Sequence, residues 1–291
     1  MSSNQELIKR FKNLKDNTKL SNYSWFNLGG PAEYLFKPEN KNQLIEFLKY
    51  NKKEKLRITI LGAGSNTLIR DNGIKGVVIK LGTNFSNINL IEKSTLEVGA
   101  GTLDRKISNF ARDHGIGNLE FLSCIPGSIG GAVIMNSGCY GNDISKILVS
   151  LNVIDTNSCS EKEIKREEIE FYYRGNNLPK DLIITSVKLR GIISSKENIK
   201  KKQIELIERK KKAQPNQVKT CGSTFKNLNN NTKAWQLIKA SGCDKFKVGD
   251  AVISDKHCNF FVNNGKAKSS DIEQLIKNVR QTVSEKAGVN L

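Results

Sequence analysis

The chain has 291 residues, 37% of them hydrophobic and 26% charged, a mixture that folds as a globular protein and excludes a disordered polymer or a small disulfide-stapled scaffold. Lys and Arg number 47 against 29 Asp and Glu, and the formal net charge of +18 would draw any polyanion: nucleic acid, an anionic membrane surface or a phosphorylated small molecule. The basic runs at 200–202 and 209–212 also read as solvated helix faces, and the abundance of lysine and asparagine as compositional bias, so charge alone selects none of these.

Along the chain, Leu44, Ile45, Phe47 and Leu48 form a short helical stripe, and residues 56–61 alternate as a strand that runs into Gly62-Ala63-Gly64-Ser65-Asn66. A second strand at 77–81 follows the turn Asp71-Asn72-Gly73 and closes a first unit near Gly82. Next come a strand at 96–98, the turn Gly99-Ala100-Gly101, and a helix carrying Leu103, Ile107, Phe110 and Ala111 on one face, stopped by His114-Gly115. The densest glycine region, 125–141, precedes strands at 148–154 and 182–189, giving a second α+β unit. A charged connector helix over 196–213 breaks at Gln214-Pro215, which puts a boundary near 193. Beyond it the pattern predicts a helix around Trp235, Leu237 and Ile238, a strand at 259–263, and a last helix. That helix opens with Ser270 and Glu273 in capping-box spacing and buries Ile272, Leu275, Ile276, Val279 and Val283. The expected segments are therefore 1–82, 83–193 and 194–291.

No apolar run approaches the roughly 20 residues that cross a bilayer, and the first residues lack the apolar core of a signal peptide, so a cytoplasmic protein without membrane insertion is expected. Cys124, Cys139, Cys159, Cys221, Cys243 and Cys258 form no close metal-type or redox-type pair, and only two histidines exist to assist them. They read as reduced thiols, with no metal site, although Cys124 and Cys221 each lie beside a motif.

Gly62-Ala63-Gly64 after a strand matches the first half of a dinucleotide fingerprint, but Thr67 stands where the third glycine would be. What remains is a turn whose backbone N–H groups can approach a pyrophosphate, with Ser65 and Asn66 adding side-chain donors; a plain tight turn is the alternative. The stretch from Ser123 through Ile125, Pro126, Gly127, Ser128, Gly130 and Gly131 combines proline, glycines and hydroxyls between apolar flanks, a composition able to wrap a phosphate. Its continuation past Asn136, Gly138 and Gly141 is small enough for a flat ligand to lie against backbone. Phe171-Tyr172-Tyr173-Arg174 sets a guanidinium after three aromatics, a surround suited to a desolvated cation that polarises a carboxylate. Cys221-Gly222-Ser223-Thr224-Phe225-Lys226-Asn227 brings a hydroxyl, a cation and an amide together, and Ser223 could protonate a carbanion; a turn without chemistry is the competing reading. Neither His114 nor His257 supports a nucleophilic triad.

In this order, and together with Ser24-Trp25-Phe26-Asn27-Leu28-Gly29-Gly30-Pro31-Ala32 and the terminal Gly288-Val289-Asn290-Leu291, these motifs resemble the UDP-N-acetylenolpyruvoylglucosamine reductases over nearly the whole chain. The resemblance implies an α+β fold with an FAD-binding domain of the vanillyl-alcohol-oxidase (PCMH) type in two subdomains, followed by a C-terminal α+β substrate-binding domain. It implies FAD and NADPH as cofactors and, as substrate, the enolpyruvyl ether of a UDP-sugar in peptidoglycan precursor synthesis, handled by a monomer without nucleic-acid partners. By resemblance, Leu61, Gly62, Ala63, Gly64, Ser65, Asn66 and Thr67 with Ser123, Ile125, Pro126, Gly127, Ser128, Gly130 and Gly131 surround the FAD pyrophosphate. Asn136, Gly138 and Gly141 fall near the flavin. Arg174 matches the arginine beside the enolpyruvyl carboxylate, Ser223 the proton-donating serine, and Lys226, Asn227 and Asn259 the substrate side.

Three departures from the family pattern stand out. Asn176 replaces the serine that usually follows Arg174 by two positions. No tyrosine lies beyond Tyr173, which resembles the shorter subclass lacking a tyrosine-bearing closing loop. The family's catalytic glutamate would fall just past Leu291, for which a truncated sequence is the favoured reading over a missing group. The alternatives to this reductase are an FAD-dependent oxidase or dehydrogenase of another substrate, and a non-catalytic basic protein that binds polyanions.

Overall fold

The computed structural model describes residues 3–228 and 232–291. The chain forms two compact units, neither a continuous stretch: one from Met1–Asp16, Tyr34–Ala63 and Gly76–Arg209, the other from Asn17–Glu33, Gly64–Lys75 and Lys210–Leu291.

The first unit contains two sheets. Helices α1 (Ser3–Arg10) and α2 (Lys41–Glu54) pack on a four-stranded sheet of β1 (Leu14–Lys19), β2 (Pro31–Phe36), β3 (Ile58–Ile60) and β4 (Ile74–Ile79), ordered β1-β2-β4-β3 with β3 and β4 parallel. Asn40 starts α2 by accepting the Gln43 N–H on its side chain at 2.9 Å, and Lys55 ends it in the left-handed conformation. Phe36 and Phe47 pack tilted by 36° with 4.6 Å between ring centres, and both are fully buried; each such ring contributes about 1.5–3 kcal/mol by leaving water.

The second sheet is antiparallel: β5 (Ile88–Glu92), β6 (Thr95–Gly99), β7 (Leu148–Asp155), β8 (Ser160–Lys165) and β9 (Leu182–Arg190), in the order β8-β7-β9-β6-β5. The central β9 is buried along most of its length, which explains its unbroken apolar run. Against this sheet lie α3 (Asp104–Asp113), with Ile107 and Ala111 inward, and the short α4 (Ile129–Ile134). The sequence reading took α4 for glycine loop. Gly130 is there for close approach: its N–H donates to the Ala100 carbonyl at 3.0 Å, and a Cβ would sit 3.1 Å from that oxygen. The expected charged helix is α5 (Lys196–Ala213); it buries only Ile199 and Gln203, whose Nε2 donates to Ser108 Oγ at 2.7 Å and to the Ser108 carbonyl at 3.0 Å.

In the second unit, Phe26, Leu28 and Leu68 share one core with α6 (Ala234–Ala240), a three-stranded antiparallel sheet of β10 (Lys247–Val248), β11 (Ala251–Ile253) and β12 (Phe261–Asn263), and α7 (Ser269–Ala287). The predicted apolar stripe of α7 is inward at Ile272, Leu275, Val279 and Val283. Its cap differs from the expected Ser270–Glu273 box. Asp71 accepts the Ser269 N–H at 2.8 Å and the Ser270 N–H at 3.0 Å, Asp271 accepts the Lys268 N–H at 2.8 Å, and Glu273 pairs with Arg70 at 2.7 Å instead. Burial alone would raise the Asp71 pKa, but the amides of Ser270 and Ser269 outweigh it and hold this carboxyl below its usual range, as suits an anion at a helix N-terminus. Among the described residues no helix is long and apolar enough to cross a membrane.

Candidate active site

Two glycine-bearing turns meet in the first unit. The Leu61 N–H donates to the Ile79 carbonyl at 2.9 Å, so the chain leaves the carboxyl end of β3 in register with β4 and enters the Gly62-Ala63 turn. From the other side, a 3-10 turn at Glu120–Cys124, tied by Ser123 Oγ donating to the Glu120 carbonyl at 2.7 Å, leads through Ile125, Pro126 and Gly127 to α4. The Gly127 carbonyl accepts the Asp104 N–H at 3.1 Å and the Ile129 N–H reaches the Thr102 carbonyl at 2.9 Å, fastening this loop to the start of α3. A Cβ on Gly62 would lie 2.9 Å from Ser128 Oγ, and one on Gly131 3.6 Å from the same atom. Backbone donors and a hydroxyl therefore stand side by side where any larger residue would intrude.

Gly64, Ser65, Asn66 and Thr67 belong to the second unit, where Gly64 and Thr67 have local partners. A Cβ on Gly64, at φ +70°, would be 1.8 Å from the Tyr23 carbonyl oxygen. The Gly64 carbonyl accepts the Trp25 N–H at 3.0 Å, and the buried Cys221 thiol reaches the carbonyls of Gly64 and Thr67 at 3.6 and 3.5 Å. Burial pushes the Cys221 thiol up, the opposite of what a reactive cysteine needs.

Back in the first unit, the chain after α4 makes a hairpin, Gly138–Cys139 against Asn142–Asp143, whose turn residues Tyr140 (φ +54°) and Gly141 (φ +87°) are both left-handed. The Arg209 guanidinium lies 4.6 Å from the centre of the Tyr140 ring. A second hairpin pairs Phe171–Tyr172 with Gly175–Asn176 and carries Arg174 on its turn at φ +59°. Asn136, itself at φ +41°, donates to the Tyr172 carbonyl at 3.4 Å, and Asn176 Nδ2 donates to the carbonyls of Val133 and Ile134 at 2.9 and 3.2 Å. The Arg174 turn is thus joined to the end of the helix that begins at Ser128. Left-handed non-glycine residues cost about 1–3 kcal/mol each; Asn136, Tyr140 and Arg174 are three of the nine among the described residues. One expectation fails here. The Phe171 ring faces Arg166 at 4.8 Å, and Tyr172 and Tyr173 are more than half exposed, so the three aromatics do not form a dry surround.

The Ser223 segment is held within the second unit by Asn259. Ser223 forms a bridge opposite Phe260, the Thr224 N–H donates to the Asn259 carbonyl at 2.8 Å, and the Asn259 side chain accepts the Phe225 N–H at 2.9 Å while donating to the Phe225 carbonyl at 3.0 Å. Asn259 is buried, and its amide oxygen and nitrogen both bond the Phe225 backbone, which holds the segment carrying Ser223 in place. Asn227 accepts the Ala234 N–H at 3.1 Å where α6 begins, and Lys226 is exposed. His257 packs edge-on against Trp235 and Phe260, and its Nδ1 accepts the Asn259 N–H at 3.2 Å. Burial lowers its pKa.

Known proteins resemble the chain from end to end. A model of the C-terminal domain of UDP-N-acetylenolpyruvoylglucosamine reductase matches residues 214–291, and an FAD binding domain model matches residues 32–158. The UDP-N-acetylenolpyruvoylglucosamine reductase of Pelagibacter ubique is 45% identical, covering 98% of this chain and 96% of its own length. That of Gluconobacter oxydans is 40% identical over 96% of this chain and 90% of its own. The crystal structure of the Thermus caldophilus UDP-N-acetylenolpyruvylglucosamine reductase (MurB) superposes with a TM-score of 0.81 at 32% identity, over 92% of this chain and 94% of that one. The chain belongs to the UDP-N-acetylenolpyruvoylglucosamine reductase family.

Membership agrees with the expected α+β class, with an FAD-binding domain and a C-terminal reductase domain. In this reductase the matched FAD-binding segment contains both turns of the Gly62–Ser128 approach. The donor set fits the group: backbone N–H at Gly62 and Ala63 with the Ser128 hydroxyl suit a diphosphate, and the absence of a side chain at Gly62 lets the Ser128 hydroxyl come close to that backbone. Two residues escaped the sequence reading of this reductase. Lys80 donates to the Gly62 carbonyl at 2.5 Å, and Asn176 was seen only as a departure from the family serine. A basic residue directly after the strand that pairs with the one leading into the glycine turn was the available signal for the first.

Proposed function

We propose that the chain reduces the enolpyruvyl ether of UDP-N-acetylglucosamine enolpyruvate to UDP-N-acetylmuramate with NADPH, a step of peptidoglycan precursor synthesis. The observation that carries this reading is the approach of Gly62 to Ser128 inside the FAD-binding domain of a member of this reductase family. When bound, FAD supplies the two-electron relay between NADPH and the enolpyruvyl double bond.

The protein's own residues do the rest. The turn at Leu61–Ala63, with Gly64–Thr67, and the loop from Ser123 through Gly131 hold the cofactor's diphosphate by backbone N–H groups and hydroxyls. Asn136, Gly138 and Gly141 line the flavin side. Adding hydride to the outer enolpyruvyl carbon places new negative charge next to a carboxylate, and Arg174 stabilises that charge with a guanidinium that stays protonated. Ser223 gives its proton to the adjacent carbon. Lys226 and Asn227 serve the UDP-sugar, whereas Asn259 acts on it through the segment carrying Ser223. With polyanionic cofactors and substrate, the net charge of +18 needs no nucleic-acid partner. We place the protein in the cytoplasm as a monomer.

Substituting Ser223→Ala tests the assignment. The purified variant is expected to be yellow and to bleach with NADPH as the wild type does, while turnover of the UDP-enolpyruvyl sugar falls by about two to four orders of magnitude. Undiminished turnover removes Ser223 as proton donor, and a colourless wild-type protein removes the flavoenzyme.

A further inference from the structure

Lys80 directly follows β4 at the carboxyl edge of the parallel β3–β4 pair, beside the Gly62-Ala63 turn that leaves β3. Its own N–H is bonded to the Phe36 carbonyl at 3.0 Å, and its Nζ donates to the Gly62 carbonyl at 2.5 Å. The side chain is mostly withdrawn from solvent, and burial, with Lys37 nearby as a second cation, pulls its pKa down. Withdrawing a lysine ammonium from solvent next to another lysine carries a desolvation cost, which its bond to the Gly62 carbonyl helps offset.

Peptide planarity shows what the contact does. In a trans peptide the carbonyl of one residue and the N–H of the next point in opposite directions. With the Gly62 carbonyl turned onto Lys80, the Ala63 N–H faces away from Lys80. The bare Cα of Gly62 stands beside Ser128 Oγ, so this peptide belongs to the same cradle. Two neighbouring lysines also raise the local positive potential, which a diphosphate relieves. Resting on the reading of this cradle as the FAD diphosphate site, we propose that Lys80 is a positioning residue that locks the Gly62–Ala63 peptide with its N–H presented to the diphosphate.

The test uses the full-length protein stripped of flavin, as wild type, Lys80→Met and Lys80→Arg, titrated by flavin fluorescence with FAD and with riboflavin, which has the ring system but no diphosphate. Methionine keeps the aliphatic stem and removes the donor; arginine keeps a donor and the charge. Lys80→Met is expected to bind FAD about tenfold or more weakly, as befits a lost charge-assisted hydrogen bond, while Lys80→Arg retains most of the affinity and riboflavin binding is equal in all three. Equal weakening for FAD and riboflavin would make Lys80 a general support of the fold and overturn the proposal, as would unchanged FAD affinity in the methionine variant. A wild-type protein without FAD affinity would sink the underlying reading of the site itself.

Discussion

Asn176 Nδ2 donates to the Val133 carbonyl at 2.9 Å and so fastens the turn bearing Arg174 to the last residues of α4. The same amide also reaches the Ile134 carbonyl at 3.2 Å, and its oxygen accepts the Leu178 N–H at 3.0 Å. Both donor hydrogens and the acceptor are therefore used. Asn176→Ala should cost about 1–3 kcal/mol and lower kcat/KM for the UDP-sugar by loosening Arg174. Asn176→Asp should be at least as damaging, because a carboxylate cannot donate to two carbonyls. Thermal unfolding and steady-state kinetics of the pair decide the point; a harmless aspartate would show that the donor role is wrong.

Gly62 and Gly64 are two positions apart, yet alanine should affect them differently. At Gly64 the new methyl would strike a backbone oxygen at 1.8 Å from a left-handed φ, and neither can yield, so Gly64→Ala is expected to misfold or lose several kcal/mol. At Gly62 the obstacle is the rotatable Ser128 hydroxyl at 2.9 Å. Gly62→Ala should fold with a modest loss and lose flavin, seen as a lower ratio of flavin to protein absorbance. A fully yellow Gly62→Ala protein would mean that the cradle does not need the bare backbone.

Histidine 257 makes stability depend on acid. Its folded pKa is depressed by burial below the ordinary value of about 6.5, so the unfolded chain binds the proton more readily. The contribution is present above about pH 6.5 and is lost as pH falls through the folded value. Protonation would also remove Nδ1 as acceptor for the Asn259 N–H. The melting temperature should fall between pH 7.5 and 5.5 in the wild type and fall less in His257→Phe, which keeps the aromatic contacts with Trp235 and Phe260. Parallel pH profiles for the two proteins would rule out this group as the cause.

Elements with one dominant apolar period could be read directly from the residues. The strands near 148–154 and 182–189 and the stripe from Ile272 to Val283 lie where the pattern puts them, because local periodicity and burial agree there, whereas the helix over 196–213, which buries little, was legible from its charge and its break at Gln214-Pro215. α4 stayed hidden because Gly130 and Gly131 look like loop, whereas Gly130 serves close packing against Ala100. The cap of α7 was invisible for another reason: its acceptor, Asp71, is 198 residues from Ser269. Much of the candidate site shares that difficulty. Gly62 and Ser128 could be named as motifs, but their adjacency, the grip of Lys80 and the clamp of Asn259 on Phe225 are tertiary facts. The bonds of the Asn259 amide to both polar groups of the Phe225 backbone were likewise not visible in the sequence.

The interleaved chain path has a consequence for biosynthesis. Phe26, Leu28 and Leu68 emerge from the ribosome early, but their core partners Leu275, Val279 and Val283 are made about two hundred residues later. At about 5–20 residues per second, those early apolar side chains spend about ten seconds or more without the helix that covers them. For the same reason a fragment beginning at residue 214 leaves behind Phe26, Leu28, Leu68 and the Asp71 cap, and with them part of the interior on which its last helix rests.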